Sequence, residues 1–433
     1  MQLPIYAYVA LLLLAGLLST RVMKYLKLPN VTGYIVTGIL MGPFVFGLLF
    51  NNFDFASAKN SYIYEYISKL TWVSNVALGF IAFSIGTSFK MSTIKAVGKK
   101  VVIITIFESF GASLLVILAL LIAHYVVPEK ISISLALTLG AIAAATAPAA
   151  TLMIIKQYKA KGEMVDTLLP VVALDDASAL ILFSILFQIA SSLSTGGDFD
   201  VYKMVGKPII EIIISIGIGA ILGLIISFLN KLFNSRNNKL ILCIITVFAS
   251  LGIYYLFKDK VFVEQTGGFE LSSLLMCMMA ATIYTNLAKN SNQTFDLLDR
   301  FTSPIFMMFF VLSGANLDLS IFGRKEGVTI IIVAAIYIVA RVIGKWSGAA
   351  FGAKVSKCSK EVTSYLGFAL IPQAGVAIGL ATNASSLFKG NPELEYTGSL
   401  ILAVILTTTL VYELVGPLVA KWALTKAKCI SLN

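Results

Sequence analysis

The sequence predicts an all-α polytopic membrane protein of 13 transmembrane helices, organised as two six-helix inverted repeats. Three observations lead there. The chain of 433 residues is 58% hydrophobic and only 13% charged, whereas soluble domains are nearer half apolar and a quarter charged. Apolar runs of about 20 residues, the length that crosses a bilayer, recur from end to end. Two pairs of Gly- and Pro-bearing segments also recur along those runs at one odd offset, as an inverted repeat requires.

The runs fall at 4–23, 30–50, 66–89, 99–127, 132–155, 165–190, 207–230, 238–257, 268–288, 298–315, 327–352, 362–384 and 397–420. The first begins at Pro4 with no Lys or Arg before it. It lacks the basic start of a signal peptide, so it is expected to remain as a helix. Connections are short, and the longest, NNFDFASAKNSY (51–62) and SSLSTGGDFD (191–200), are polar. No soluble regulatory domain is expected at either end, which leaves the function to the membrane body. An odd span count puts the termini on opposite sides. Lys and Arg in the loops and at span ends number 21 on one side and 10 on the other, and only Arg341 and Lys345, both inside the eleventh span, are assigned to neither. Because cytoplasmic loops carry the excess of Lys and Arg, the N-terminus is expected outside and the C-terminus in the cytoplasm. The net charge of +11 is thus a loop asymmetry and calls for no nucleic acid.

The repeat rests on two pairs. GTSFKMS (86–92) in the third span matches GANLDLS (314–320) in the tenth. GAIAAATAPAAT from Gly140 in the fifth span matches GFALIPQAGVAI from Gly367 in the twelfth, with Pro148 and Pro372 mid-span and Gln373 beside the second. Both pairs lie seven spans apart, so the halves are antiparallel. The expected division is 1–206 for the first repeat, 207–237 for a linker helix and 238–433 for the second repeat. Broken helices in such repeats frame a site near the midplane; the alternative for each proline is a simple kink.

The chemistry is concentrated in few residues. VVALDDASALILF places Asp175 and Asp176 inside a spanning helix, where each disfavours insertion by roughly 2.5–3.5 kcal/mol. Adjacent residues point about 100° apart, so one can face a cavity and the other a neighbouring helix. Two carboxyls so close in low dielectric cannot both carry charge cheaply, and such a group can hold either a proton or a small cation. Hard oxygen ligands suit Na⁺ or a similar alkali ion, with Thr146 and carbonyls freed around Pro148 completing the shell. The rival reading locks both carboxylates in structural ion pairs. Arg341 and Lys345, four apart, share a helix face; Arg keeps its proton, whereas a buried Lys can lose it. Glu108 and Glu413 are the other intramembrane carboxyls, read first as structural partners. Four cysteines without a CxxC pair and a single histidine, His124, leave no transition-metal site or disulfide framework. No nucleophile–base pair suggests an enzyme and no cofactor is called for. No filter-like repeat suggests a channel, and a non-transporting ion sensor is a further alternative.

In these segments the chain resembles the cation:proton antiporter-2 family of bacterial sodium–proton and potassium–proton exchangers. The resemblance is carried by KLPNVTGYIVTGILMGP (27–43), ALGFIAFSIGTSF (77–89), AAATAPAATL (143–152), VVALDDASALILF (171–183) and IGKWSGA (343–349), and spans nearly the whole chain. It implies that Asp176 is the main cation and proton carrier and that Asp175 pairs with a cation on the eleventh helix. It also implies that the fifth and twelfth helices are unwound and cross. Homodimers would form through a separate panel, both core and panel being assembled from both repeats, and exchange would run by elevator-like movement of the core. The cargo would be Na⁺ (or K⁺ or Li⁺) against H⁺, across a bacterial inner membrane. The missing nucleotide-binding domain of many potassium-efflux relatives favours Na⁺ over K⁺. The family often has Lys at the eleventh-helix position; the glycine spacing sets Arg341 there, and one turn later sets Lys345. Register favours Arg341.

Overall fold

The computed structural model describes residues 4–26, 28–46, 62–87, 89, 91–127, 131–195, 206–258, 271–288, 291–316, 327–388 and 392–430. A few side chains within the helices, those of Asp176 and Ala177 among them, lie outside the description, as do residues 51–61 and 196–200 of the long connections and residues 317–320 of the GANLDLS segment. The 16 described elements are all helices. They are α1 (Ile5–Tyr25), α2 (Asn30–Met41), α3 (Tyr62–Lys69), α4 (Thr71–Thr87), α5 (Met91–Val126), α6 (Ile133–Ala143), α7 (Pro148–Tyr158) and α8 (Glu163–Thr195). Then follow α9 (Lys207–Leu229), α10 (Arg236–Lys258), α11 (Ser273–Leu287), α12 (Ser291–Ala315), α13 (Gly327–Val355), α14 (Lys360–Ala369), α15 (Gly375–Phe388) and α16 (Pro392–Lys426).

Helix is the one local structure that satisfies every backbone N–H and C=O within its own segment, which lipid demands. Among the described residues, nine stretches are long and apolar enough to cross a membrane, and Asn30–Met41 and Ser273–Leu287 are shorter apolar helices. Their outer faces stay greasy: Leu14, Leu18, Ile106, Ile122, Ile221 and Phe228 are exposed. In water that surface would be a liability; in a bilayer it faces lipid. The chain is a multi-pass membrane protein.

The helices sort into two packed groups. One comprises α5 to α8 and α13 to α16; the other comprises α1, α2, α4 and α9 to α12. Lipid gives apolar helices no reason to associate, so packing depends on small residues that let backbones touch. A Gly344-x₃-Gly348-x₃-Gly352 stripe on α13 does this against α5. A Cβ on Gly344 would sit 2.6 Å from Ala112 Cα, and one on Gly352 2.8 Å from Ile104 Cα. In the other group Gly86 of α4 meets the Met278 carbonyl of α11, and Gly314 of α12 meets the Ile35 carbonyl of α2.

Among the described residues, two spans are interrupted over more than one residue. α6 ends at Ala143 and α7 starts at Pro148, whose ring fits the first helical turn and biases Ala147 toward its observed extended backbone, φ −86° and ψ 111°. α14 ends at Ala369 and α15 starts at Gly375, with Pro372 between them. The two interruptions touch: Ala147 N–H donates to the Pro372 carbonyl at 2.8 Å.

Candidate functional site: a charged cluster at the crossing of two broken helices

Each interruption leaves carbonyls with no partner in their own helix. Buried in a membrane core, they need donors, and α13 supplies them. Arg341 is fully buried and donates from Nε to the Ala143 carbonyl at 2.9 Å, and from its two terminal nitrogens to Ala145 and Ile371 at 2.7 Å each. One planar fork therefore ties both interruptions together, and its positive charge sits at the C-terminal, negative end of α6. Tyr412 of α16 lies under the guanidinium, 4.7 Å from ring centroid to Cζ. Gln373 donates to the Ile142 carbonyl at 3.0 Å and exchanges hydrogen bonds with Tyr337. Thr151 Oγ1 donates to the Ala369 carbonyl at 3.3 Å.

One turn along α13, Lys345 does something different. Its ammonium lies 2.6 Å from the Ala144 carbonyl, 2.7 Å from Thr146 Oγ1, 2.7 Å from Glu108 Oε2 and 3.2 Å from Asp175 Oδ2. All of Lys345, Glu108 and Asp175 are fully buried. Two carboxyls share one ammonium, so the cluster carries one negative charge unless a proton or a monovalent cation joins it. Thr146 also donates weakly to the Leu370 carbonyl, at 3.4 Å, so it links the cluster to the second interruption.

The structure thus brings Asp175, Thr146, Glu108 and Lys345 together and sets Arg341, Gln373, Pro148 and Pro372 immediately beside them. Register across the following loop favoured Arg341 for Asp175, with Lys345 the alternative; among the described residues the cation within 4 Å of Asp175 is Lys345. The reason is the α5–α13 glycine seam, which seats Lys345 at the level of Glu108 and turns Arg341 toward the interruptions. Asp176 lies on α8, and its side chain is outside the described residues. Glu413 stands apart. Both its oxygens accept from Ser313 of α12, at 2.8 and 2.9 Å, on a small cavity that Gln373 and Tyr412 also line. Ser109, Ser313, Tyr337 and Tyr412 went unremarked in the sequence, where a lone hydroxyl in an apolar run carries no signal of its partner.

A larger cavity opens between the two helix groups. Ala147, Pro148 and Gly375 of the interruptions and Ala173 of α8 form one wall, and Ile81 and Met278 are part of the other. Ala173 is three residues before Asp176 on the same helix.

The chain has the fold of the sodium proton antiporter MjNhaP1 from Methanocaldococcus jannaschii. Against that protein's structure at pH 8 it is 19% identical with a TM-score of 0.69, over 98% of each chain. Against an electron-microscopy structure of the same antiporter it is 18% identical with a TM-score of 0.75, over 98% of this chain and 96% of that one. No curated protein matches. The family model described as "Sodium/hydrogen exchanger, transmembrane" matches residues 9–425, and the chain belongs to that family of transmembrane cation:proton antiporters.

Proposed function

We propose that this protein exchanges Na⁺ for H⁺ across a bacterial inner membrane by elevator-type alternating access, with K⁺/H⁺ exchange by the same fold as the alternative. The observation that carries the reading is the buried cluster of two carboxyls and one ammonium at the crossing of two broken helices. Asp176 alternates between proton and cation. Asp175 is held by Lys345, and Thr146 with carbonyls of the interruptions completes an oxygen shell of the kind alkali ions take. Both solved structures named above are of one sodium proton antiporter, which favours Na⁺ as cargo.

Several features support the elevator. The cavity lies between the two helix groups, so sliding one against the other would carry the cluster from one side to the other. The group with α5 to α8 and α13 to α16 is then the moving core. The other is the panel through which a homodimer forms, with N-terminus outside and C-terminus in the cytoplasm. Packing also supports repeats at 1–206 and 238–433 joined by a linker helix at 207–237. Contact of α2 with α12 is mirrored by α11 with α4, α5 with α6 by α13 with α14, and α5 with α8 by α13 with α16. Gly86 and Gly314, matched in the sequence repeat, make equivalent backbone contacts.

The test is proton movement in proteoliposomes driven by imposed Na⁺, K⁺ or Li⁺ gradients. Wild type should exchange and Asp176→Asn should not. Cation binding without exchange would identify a sensor, and a conductance far above any turnover-limited rate would identify a channel.

A further inference from the structure

The two broken helices meet the panel unequally. Their second halves, α7 and α15, begin at Pro148 and Gly375, which the sequence repeat matches to each other. Leu152 and Ile155 of α7, 3% and 8% exposed, share a hydrophobic cluster with Phe80 and Phe83 of α4 and with Phe306 and Leu312 of α12. Next to them Lys156 Nζ lies 2.5 Å from Asp299 Oδ1 of α12 and donates to Ser84 Oγ of α4 at 3.2 Å. It also stands over the Phe306 ring, 5.6 Å from the centroid. Gln157 Oε1 accepts the Asn30 N–H of α2 at 2.9 Å. The surroundings of α15 differ. Ala377, Leu380 and Ala384 pack in a cluster that, among the described residues, holds no panel residue. Gly379 and Thr382, which the same register matches to Leu152 and Ile155, are exposed. A Cβ on Gly379 would meet nothing within 4 Å, and one on Gly375 would meet only Leu78 of α4, at 3.9 Å. A glycine inside a helix is destabilising relative to alanine, and in this state no close packing at that face offsets the cost.

We propose that the Gly375–Gly379 face of α15 is the surface that closes onto α4 and α11 when the core moves to its opposite position, and that Lys156 with Gln157 is the latch that releases as it does. The proposal rests on the exchanger reading above. Glycines let helix backbones approach closely, and Leu78 of α4 with Leu274 and Met278 of α11 belongs to the cavity wall across from Gly375. The Arg341 fork and the Ala147–Pro372 hydrogen bond tie the two interruptions together. A core that tips α15 onto the panel therefore lifts α7 off it. The charged cluster travels with both: Lys345, Asp175, Thr146 and Glu108, whose Oε1 accepts from Ser109 at 3.0 Å, all stand on core elements. The latch is polar and partly exposed, so water can take over its partners on release.

The reporter is Leu152→Cys, buried at the seam, labelled in proteoliposomes by a membrane-impermeant maleimide applied to each face in turn, with labelling of the parent chain subtracted. Its rate follows the fraction of protein in which α7 has lifted off. Adding Asp299→Asn should raise that rate about two- to fivefold, the shift expected for loss of a partly exposed ion pair. Adding Gly379→Leu should lower it by about fivefold or more, because the new side chain fills the space the panel must enter. Gly379→Leu in the otherwise wild-type chain should unfold at or above the wild-type midpoint, yet slow exchange by about tenfold or more. Gly252→Leu, where a Cβ is equally free of neighbours, is the control and should exchange at the wild-type rate. A reporter rate unmoved by Gly379→Leu, or undiminished exchange in that variant, would overturn the closing surface. A reporter rate unmoved by Asp299→Asn would overturn the latch. A lowered midpoint in Gly379→Leu also counts against the proposal, since nothing in the present state opposes the side chain. Labelling needs no cargo, so it decides the switch separately from the exchanger reading, which fails if wild type moves no protons with Na⁺, K⁺ or Li⁺.

Discussion

Replacing Arg341 with Lys keeps the charge and removes the fork. The guanidinium holds three carbonyls, at 2.9, 2.7 and 2.7 Å, across both interruptions. A lysine ammonium is a point donor on a flexible stem. In a fully buried site it leaves at least two of those carbonyls without a charged partner. Hydrogen bonds to charged groups contribute about 1.5–3 kcal/mol each, so the loss is roughly 3–6 kcal/mol. Reduced stacking on Tyr412 adds about 0.5–2 kcal/mol. That is a large share of a typical stability of roughly 5–15 kcal/mol. The assay is thermal unfolding of the detergent-solubilised protein in NaCl and in choline chloride. Arg341→Lys should unfold well below wild type in both salts, yet Na⁺ should still raise its midpoint, because the Lys345 cluster is untouched and a ligand stabilises the state it binds. A variant with an unchanged midpoint that no longer responds to Na⁺ would refute the reasoning and put Arg341 in the ion site.

Other substitutions test the packing and the outlying charges. Gly348→Ala drives a Cβ to 2.7 Å from Glu108 Cα and into the Phe107 carbonyl; it should cost about 1–3 kcal/mol and slow exchange. Gly252→Ala, where a Cβ meets nothing within 4 Å, should be neutral or stabilising by about 0.5–1 kcal/mol. Ser313→Ala removes a donor from both Glu413 oxygens and should destabilise by about 1–3 kcal/mol; adding Glu413→Leu should restore most of that loss, and no recovery would mean Glu413 has further work. Asp299→Asn breaks the Lys156–Asp299 pair, whose side chains are 28% and 48% exposed, and should cost under about 1 kcal/mol. All are read as unfolding midpoints beside wild type.

How much was legible in the sequence depended on whether a residue carries its own physical signature. Pro148 and Pro372 do: a proline frees backbone groups wherever it stands, and both fall in the interruptions. The aspartate pair does too, through its insertion cost. Register across helices does not. Arg341 and Lys345 share a face by their spacing, but which carbonyl or carboxyl lies opposite is decided by the depth at which α13 sits on α5. The glycines that set that depth are visible at 344, 348 and 352; the helix they pack against is not. The same holds for Ser109 and Ser313, whose importance comes wholly from the carboxylates that folding puts beside them. Glu108 was noted as a supporting charge, and its pairing with Lys345 turns on the same seam.

The central claim is that proton and cation compete for one buried carboxyl site on α8. It is tested most directly by adding Na⁺ to purified protein in weak buffer and measuring bound cation and released proton together. The account predicts release approaching one proton per bound Na⁺ in wild type, and neither binding nor release in Asp176→Asn. Na⁺ binding with no proton release, or binding undiminished in Asp176→Asn, would contradict it.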